Sequence, residues 1–191
     1  MLLSLNDSSS ISPSITVFRL KQVHSKRVVS VPSEYHESME GDGLVTDSAK
    51  DILAVTVGDC LPIFLYSSRG FGIVHSGWQG TGIAASAVKR ISELCGETPG
   101  NVDAVIGPGI GKCCYAVPEE RCDLFDVSCI ELRSSKYYLD LKRANARILS
   151  EMGVKSIRVV DVCTQCDLRL GSFRRQGRAN YDRMVAAIGY F

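Results

Sequence analysis

The stretch that decides the fold is ILAVTVGDCLPIFLYSSRGFGIVHSGWQGTG, residues 52–82. Three short runs of apolar and β-branched residues, at 52–57, 62–66 and 71–75, are each bounded by Gly, Asp or Pro. Runs of this length and composition are typical of buried strands. The third run ends on a histidine, His75, and a glycine-rich turn follows it. This stretch therefore predicts three neighbouring strands and then a helix.

Two amphipathic helices are predicted. The first, IAASAVKRISELC at 83–95, carries apolar residues at helical spacing, with Thr81 available as its N-cap and Gly96 directly after its end. The second is YLDLKRANARILSEMG at 138–153, which has one apolar stripe and Gly153 as its stop.

Further strands are predicted at 16–20, 27–31, 102–107 and 156–162, whereas the tail at 181–191 fits a strand or a helix. Because strands outnumber helices and only some alternate with them, we expect an α/β fold of α+β-like character. It would be a mixed β-sheet core flanked by helices. We expect a flexible N-terminus at 1–14 and a single domain at 15–191.

Composition narrows the functional classes. The 191 residues carry a net charge of +1, which offers no global attraction to nucleic acid or to an anionic membrane. The apolar runs are too short to span a bilayer, and the first residues do not resemble a secretory signal. We therefore expect a cytoplasmic protein whose eight cysteines are free thiols or metal ligands.

Three residues at predicted strand ends could bind a metal: His24, Cys60 and His75. Two imidazoles and one thiolate suit Zn²⁺, and three protein ligands leave a fourth position for water or substrate, as in catalytic sites. Their separation in sequence matches no local zinc motif, so the two histidines could instead be ordinary core or surface residues and Cys60 a small buried one. His36, in a polar stretch, is expected on the surface.

Acidic residues accompany this set. Asp59 precedes Cys60, and Asp42 and Asp47 lie in GDGLVTD, residues 41–47. A carboxylate beside a metal site can carry protons or can orient a ligating histidine. We predict Asp59, with Cys60 and His75, among the catalytic residues.

Two features could bind an anion. The loop after His75 offers backbone N–H groups at Gly77, Gly80 and Thr81 ahead of a helix, although a simple tight turn has the same composition. Trp78 in this loop could stack on a flat ring or fill the core. Near the C-terminus, the guanidinium groups of Arg174, Arg175 and Arg178 suit phosphate, although such runs are also common on solvated faces.

The remaining cysteines include a group at Cys113, Cys114, Cys122 and Cys129 and a C-x-x-C pair at 163–166. A structural zinc site made only of cysteines is conceivable. However, the spacings are not those of a zinc ribbon, and a lone C-x-x-C pair is weak evidence.

Six motifs, in order, resemble one known family. They are QVHS (22–25), GDGLVTD (41–47), VTVGDCLPIFLY (55–66), GIVHSGWQGTG (72–82), GPGIGKCCYAV (107–117) and VCT…GSFRRQGR (162–178). Together they resemble the YfiH-like family, also called the laccase-domain or multicopper polyphenol oxidase family. The resemblance departs at Gln79, where the family usually has a cation, at Ala116, where it commonly has an acid, and in a shorter N-terminal segment.

The resemblance implies a zinc-dependent purine nucleoside enzyme with its metal triad at His24, Cys60 and His75. The implied reactions are phosphorolysis of adenosine, inosine, guanosine and methylthioadenosine and deamination of adenosine, with inorganic phosphate as the second substrate. A metal-free Cys–His hydrolase or deamidase, a copper phenol oxidase and a nucleoside-binding homologue without turnover remain alternatives. Copper is the less suited metal, because three histidines cannot ligate a multicopper cluster.

Overall fold

The computed structural model describes residues 2–3 and 16–190. It confirms the mixed α/β class, with mixed sheets and few helices. Most of the segment expected to be flexible at 1–14, namely residues 1 and 4–14, lies outside the described residues, and Leu2–Leu3 forms a strand. The domain boundaries therefore stay a prediction.

The chain order of the elements alternates strands with only a few helices. The strands are β1 (Leu2–Leu3), β2 (Thr16–Phe18), β3 (Val28–Ser30), β4 (Gly43–Thr46), β5 (Asp51–Val57), β6 (Leu61–Tyr66), β7 (Phe71–Ser76), β8 (Asp103–Ile106), β9 (Ala116–Val117), β10 (Ile130–Arg133), β11 (Lys136–Leu139), β12 (Ser156–Val159) and β13 (Met184–Ile188). The helices are α1 (Ile83–Cys95), α2 (Glu119–Cys122), α3 (Leu141–Glu151) and α4 (Phe173–Gln176), with 3₁₀ turns at Pro99–Asn101 and Val127–Cys129.

The largest sheet has six strands in the order β12-β8-β6-β7-β4-β3. Its two outer pairs, β12 with β8 and β3 with β4, are parallel, and the inner pairs are antiparallel. In the central hairpin, Leu61 pairs with Ser76 and Pro62 with His75. Because Cys60 directly precedes Leu61, this register brings Cys60 and His75 to the same edge of the sheet.

A four-stranded sheet, ordered β1-β13-β5-β2, covers one face of the six-stranded sheet. The apolar layer between the two sheets includes Leu44, Leu53, Phe71, Ile73 and Ala186. Helices α1 and α3 cover the other face, over a second apolar layer. The first apolar run of the sequence thus enters one sheet as β5, and the next two enter the other as β6 and β7.

The turn between β5 and β6 therefore crosses from one sheet to the other. A three-stranded sheet, β10-β11-β9, is not paired with either of them, and Val117 and Leu139 within it belong to the apolar layer beneath α1 and α3. The ambiguous tail is a strand, β13, and Ala186 within it is buried between the sheets.

Among the described residues, no helix combines the length and apolar character needed to cross a membrane.

The ends of the two long helices follow different rules. Helix α1 begins after Gly82, which has a positive φ of 98° and supplies no side-chain cap. Thr81 is therefore not the N-cap, and its hydroxyl donates instead to the carbonyl of Gly77 at 3.0 Å. Gly96, with φ 66°, ends α1 as expected, and the Asp140 side chain caps α3 by accepting from the backbone N–H of Arg143.

Candidate metal centre and substrate cavity

His24, Cys60 and His75 lie together at the edge of the six-stranded sheet. Their donor atoms are all within 4.8 Å of one another. The two imidazole rings meet edge to face, with centroids 4.8 Å apart and an interplanar angle of 74°. Three chain segments that are remote in sequence thus present two nitrogen ligands and one sulfur ligand to a common point.

Asp42 holds two of these three segments in place. Its carboxylate is fully buried and accepts the backbone N–H groups of Val23 (3.2 Å), His24 (3.0 Å) and Ser25 (2.6 Å). It also faces Nδ1 of His75 at 2.9 Å. This contact assigns the proton to Nδ1, which leaves Nε2 of His75 as a free ligand atom.

His24 needs this support because its backbone is unusual. Its φ of 59° lies in the left-handed region, where residues other than glycine are uncommon. Three consecutive N–H groups directed at one carboxylate compensate for this conformation. The sequence indicated only that an acid near the site could orient a histidine; the structure identifies that acid as Asp42.

The electrostatics of the site lower the pKa of Cys60 and raise the pKa of His75. Burial alone raises the pKa of the Cys60 thiol, but hydrogen bonds from His24 and His75 outweigh it and lower that pKa to about 7. Burial likewise opposes charge on His75, yet Asp42 and Cys60 raise the His75 pKa to about 9. For Asp42, burial raises the pKa, whereas the His75 contact and the Ser25 and Val23 donors lower it to about 2.

The residues fit a zinc ion. Imidazole and thiolate are ligands that Zn²⁺ prefers, and three of them define a site with one open position. The backbone leaves room for the cluster at Gly77, where a Cβ would lie 2.9 Å from Sγ of Cys60 and 3.2 Å from Cδ2 of His24. The loop after His75 therefore needs glycine at this position because the ligands pack against it.

The Gly77→Ala variant is expected to bind zinc about tenfold more weakly, which is the scale seen when a metal ligand loses its positioning contacts. The added methyl group would displace the side chains of Cys60 and His24. Competition with a chromogenic chelator measures the affinity. The control is Gly100→Ala, whose Cβ would meet the flexible end of Lys155 at 3.4 Å and the carbonyl of Gly153 at 3.7 Å, both ordinary contact distances. Equal affinities in the two variants would contradict this interpretation of Gly77.

A cavity of about 780 Å³ opens above the three ligands. His24, Asp59, Cys60 and His75 lie on its floor side. Its walls combine aromatic and basic side chains, which are Trp78, Tyr115, Phe173, Tyr181, Arg121, Arg174, Arg178 and Arg183. Its volume is within the range of small-molecule sites.

The aromatic and basic side chains of the walls are paired. The guanidinium carbon of Arg121 lies 4.1 Å from the Trp78 ring centroid, and that of Arg174 lies 5.4 Å from the Tyr115 ring centroid. Phe173 and Tyr181 pack edge to face at 5.4 Å. Such walls can stack on a flat ring and neutralise an anion at the same time. Sequence reasoning missed Arg121, which lies in a four-residue helix without any motif.

The predicted anion residues have different positions. Arg174 and Arg178 line the cavity. Arg175 does not: its guanidinium donates to the carbonyls of Thr164 (2.6 Å) and Gln165 (2.9 Å), among others in the same loop. We therefore correct the expectation for Arg175, which supports a backbone loop.

The glycine-rich loop also differs from expectation. Among the described residues, the cavity is lined by Trp78 and Gln79 of this loop and not by Gly77, Gly80 or Thr81. Gly80 is instead a close-approach position, since a Cβ there would lie 2.9 Å from the carbonyl of Ser25.

Asp59 lines the cavity and also ties two distant segments together. One carboxylate oxygen accepts the Thr164 hydroxyl at 2.6 Å, and the other accepts the backbone N–H of Arg174 at 2.7 Å. The turn that carries Cys60 is thereby joined to the segment that carries the arginines.

The fold and the site define a mixed α/β protein with a candidate metal centre at the base of a cavity of ligand size. The family model described as "Multi-copper polyphenol oxidoreductase laccase" matches residues 4–190. The chain belongs to this family, and the resemblance seen in its motifs is confirmed.

Relatives and solved structures agree with this assignment. Purine nucleoside phosphorylase YlmD of Bacillus subtilis is 32% identical over 190 residues, covering 88% of this chain and 68% of the relative. Adenosine deaminase RL5, from an unknown prokaryotic organism, is 32% identical over 172 residues, covering 77% of this chain and 64% of the relative. The crystal structure of YlmD from Geobacillus stearothermophilus matches with a TM-score of 0.83 and 32% identity, covering 91% of this chain and 73% of that one.

Proposed function

We propose that this chain is a zinc-dependent purine nucleoside enzyme. It would cleave adenosine, inosine, guanosine and methylthioadenosine with inorganic phosphate to the free base and the sugar 1-phosphate, and it would deaminate adenosine to inosine. The relatives named purine nucleoside phosphorylase and adenosine deaminase support both reactions. The observation that carries the proposal is one cavity that joins two imidazoles and a thiolate to aromatic and arginine walls.

The zinc ion would be held by His24, Cys60 and His75. When bound, Zn²⁺ supplies Lewis acidity and activates water at neutral pH, which suits attack at C6 of adenine. Asp42 keeps His75 in the tautomer that offers Nε2 as the ligand atom.

The walls would bind the two substrates. Trp78 and Tyr115 offer ring faces for the purine, and Arg174 and Arg178 offer donors for phosphate. Asp59 lines the same cavity next to Cys60, and an ionised carboxylate retains free lone pairs beside its two hydrogen bonds. We assign Asp59 the role of proton carrier.

Arg121 compensates for the neutral side chain of Gln79. The resemblance implies a cation at position 79, and in this chain a different cation lies nearby, because Arg121 stacks on the neighbouring Trp78 at 4.1 Å. Both Gln79 and Arg121 line the cavity. The cavity therefore retains positive charge on the side of the loop where Gln79 lies.

The direct test is to incubate the zinc-loaded protein with inosine plus phosphate and, separately, with adenosine. We expect hypoxanthine with ribose 1-phosphate in the first reaction and inosine in the second, both detected by liquid chromatography. Absence of every product from protein that contains zinc would overturn the proposal and would favour a nucleoside-binding homologue. The eight cysteines, none of them in a disulfide, suit a reducing compartment, so we place this activity in the cytoplasm.

A second candidate is a metal-free hydrolase or deamidase with Cys60 as nucleophile and His75 as base. The lowered pKa of Cys60, at about 7, favours it. Elemental analysis separates the two candidates. Loss of one zinc equivalent in Cys60→Ser supports the zinc enzyme, whereas an unchanged zinc content together with alkylation at Cys60 of the unaltered chain supports the hydrolase. The same measurement reports copper, the less suited metal.

The Arg178→Ala variant is expected to raise the KM for phosphate about tenfold or more, since a charged hydrogen bond contributes about 1.5–3 kcal/mol. The KM for the nucleoside should change much less. Initial rates at varied phosphate measure the effect. Arg158→Ala is the control, because Arg158 is exposed on β12 and does not line the cavity. An unchanged KM for phosphate in Arg178→Ala would remove Arg178 from the phosphate site.

A further inference from the structure

A second group of possible metal ligands lies outside the cavity. It consists of Cys113, Cys114, Cys163 and Cys166, whose sulfur atoms are all within 4.8 Å of one another. Sγ of Cys166 lies 3.7 Å from that of Cys113 and 3.4 Å from that of Cys114. An adjacent pair and a C-x-x-C pair, separated by 48 residues of chain between Cys114 and Cys163, thus converge on one point.

Sheet pairing brings the two pairs together. Strands β8 and β12 run parallel, so the turns that follow them emerge side by side. A β-bridge joins Gly109 to Cys163 beyond the ends of these strands. The N–H of Gly109 donates to Val162 at 3.3 Å, and the N–H of Thr164 donates to Gly109 at 3.1 Å. The positions of the two pairs are therefore set by backbone structure.

The turns have the features of a thiolate site. The backbone N–H of Gly111 donates to Sγ of Cys163 at 3.2 Å. Within the C-x-x-C turn, the N–H groups of Cys166 and Asp167 donate to the carbonyl of Cys163 at 3.1 and 2.9 Å. A Cβ at position 111 would lie 3.2 Å from Sγ of Cys113 and 3.2 Å from Cβ of Cys163, so glycine permits this close approach.

Two basic side chains stiffen the loop that carries Cys163 and Cys166. The buried ammonium of Lys142 donates to the carbonyls of Val160 and Val162, each at 2.9 Å. The guanidinium of Arg175 binds the carbonyls of the loop from the other end. Lys142 and Arg175 bind the carbonyls of Val162 and Thr164, the two neighbours of Cys163, where they would partly offset the negative charge of a metal-bound thiolate group.

We propose that Cys113, Cys114, Cys163 and Cys166 form a structural Zn²⁺ site, separate from the candidate metal centre. Four thiolates at Zn–S distances of about 2.3 Å in a tetrahedron place the sulfur atoms about 3.8 Å apart, close to the distances observed here. Loading exchanges four thiol protons for one Zn²⁺, without any redox step. Because the protein fills all four positions, the ion has no open site for substrate.

The site would stabilise one wall of the cavity. Cys114 precedes Tyr115, which lines the cavity, and Cys163 precedes Thr164, whose hydroxyl holds Asp59. A metal that links the two turns therefore fixes residues on both sides of the cavity, while its ligands stay at the protein surface. We expect that removal of this ion first lowers the unfolding temperature of the protein. Metal binding at the His24–Cys60–His75 centre should be affected only after that.

The test is the zinc content of purified protein in matched variants. We expect the His24→Ala/His75→Ala double variant to retain about one zinc equivalent, and we expect Cys166→Ser in that background to lose it. Cys122→Ser is the control, because Cys122 lies outside the cluster, and it should retain the ion. A double variant without zinc would overturn the proposal, and so would zinc that persists in Cys166→Ser.

A second measurement uses the unaltered chain and so does not depend on the folding of a variant. Alkylation followed by mass spectrometry should find Cys113, Cys114, Cys163 and Cys166 protected in zinc-loaded protein and reactive after chelation. A disulfide between any two of them in protein purified without reductant would contradict the metal site. The result is independent of the proposed function, because failure of that function leaves these four cysteines unchanged.

Discussion

The His75→Ala variant is expected to lose the metal of the candidate metal centre and to lose about a thousandfold in kcat/KM for adenosine deamination. His75 is one of the three proposed ligands among the described residues, and Nδ1 of its ring contacts the buried carboxylate of Asp42 at 2.9 Å. Lewis-acid stabilisation is worth several kcal/mol, and each 1.4 kcal/mol is about tenfold in rate. Elemental analysis and initial rates on the same preparation measure both losses.

The matched control for this experiment is His36→Ala. His36 is exposed, and Nδ1 of its ring contacts the neighbouring carbonyl of Glu37 at 3.1 Å. Zinc content and rate should be unchanged in this variant. Undiminished turnover in His75→Ala would exclude the proposed centre, whatever the metal content of that variant.

The Asp42→Asn variant is expected to be less stable and to bind zinc about 10–100-fold more weakly. The two carboxylate oxygens accept from Val23, His24 and Ser25 as well as from His75. An amide nitrogen in place of either oxygen would face N–H donors, so at least one buried group would lose its acceptor. A loss of about 3 kcal/mol in the free energy of unfolding follows from breaking such a buried charged network.

Urea denaturation and chelator competition measure the two effects. Asp47→Asn is the matched control, since Asp47 belongs to the same motif but is exposed at the end of β4. We expect it to change neither quantity. If Asp42→Asn kept the stability and the zinc affinity of the unaltered chain, Asp42 could not be the residue that holds His24 and His75 in place.

The sequence predicted the strands of the core well, because β5, β6 and β7 are short apolar runs with clear boundaries. It did not predict that β5 lies in a different sheet from β6 and β7, because a buried strand has the same apolar sequence pattern in either sheet. Strand β4 lies inside a motif noted for its acids, and the partly exposed strands β10 and β11 have a weak alternation. All three were missed for these local reasons.

The candidate site, like the fold, was predicted only in part. The ligand types at His24, Cys60 and His75 indicated their chemistry, whereas their meeting depends on a hairpin register and on one buried carboxylate. Residue type also failed to distinguish Arg175 from Arg178, because direction of the side chain decides which of them reaches the cavity. Local spacing rules missed the cysteine cluster, since the parallel pairing of β8 and β12 brings its two halves together.

The two parts of the site are completed at different points along the chain, and this difference has a consequence for biosynthesis. The ligands and Asp42 all lie before residue 77, on or beside strands β3, β4, β6 and β7 of one sheet. The arginine wall depends on contacts made 105 and 115 residues later, from Thr164 and Arg174 to Asp59. Because chains are synthesised from the N-terminus and long-range contacts form late, the ion-binding half can be assembled on the ribosome ahead of the substrate-binding half. The candidate metal centre of a nascent chain could thus form before the cavity beside it is complete.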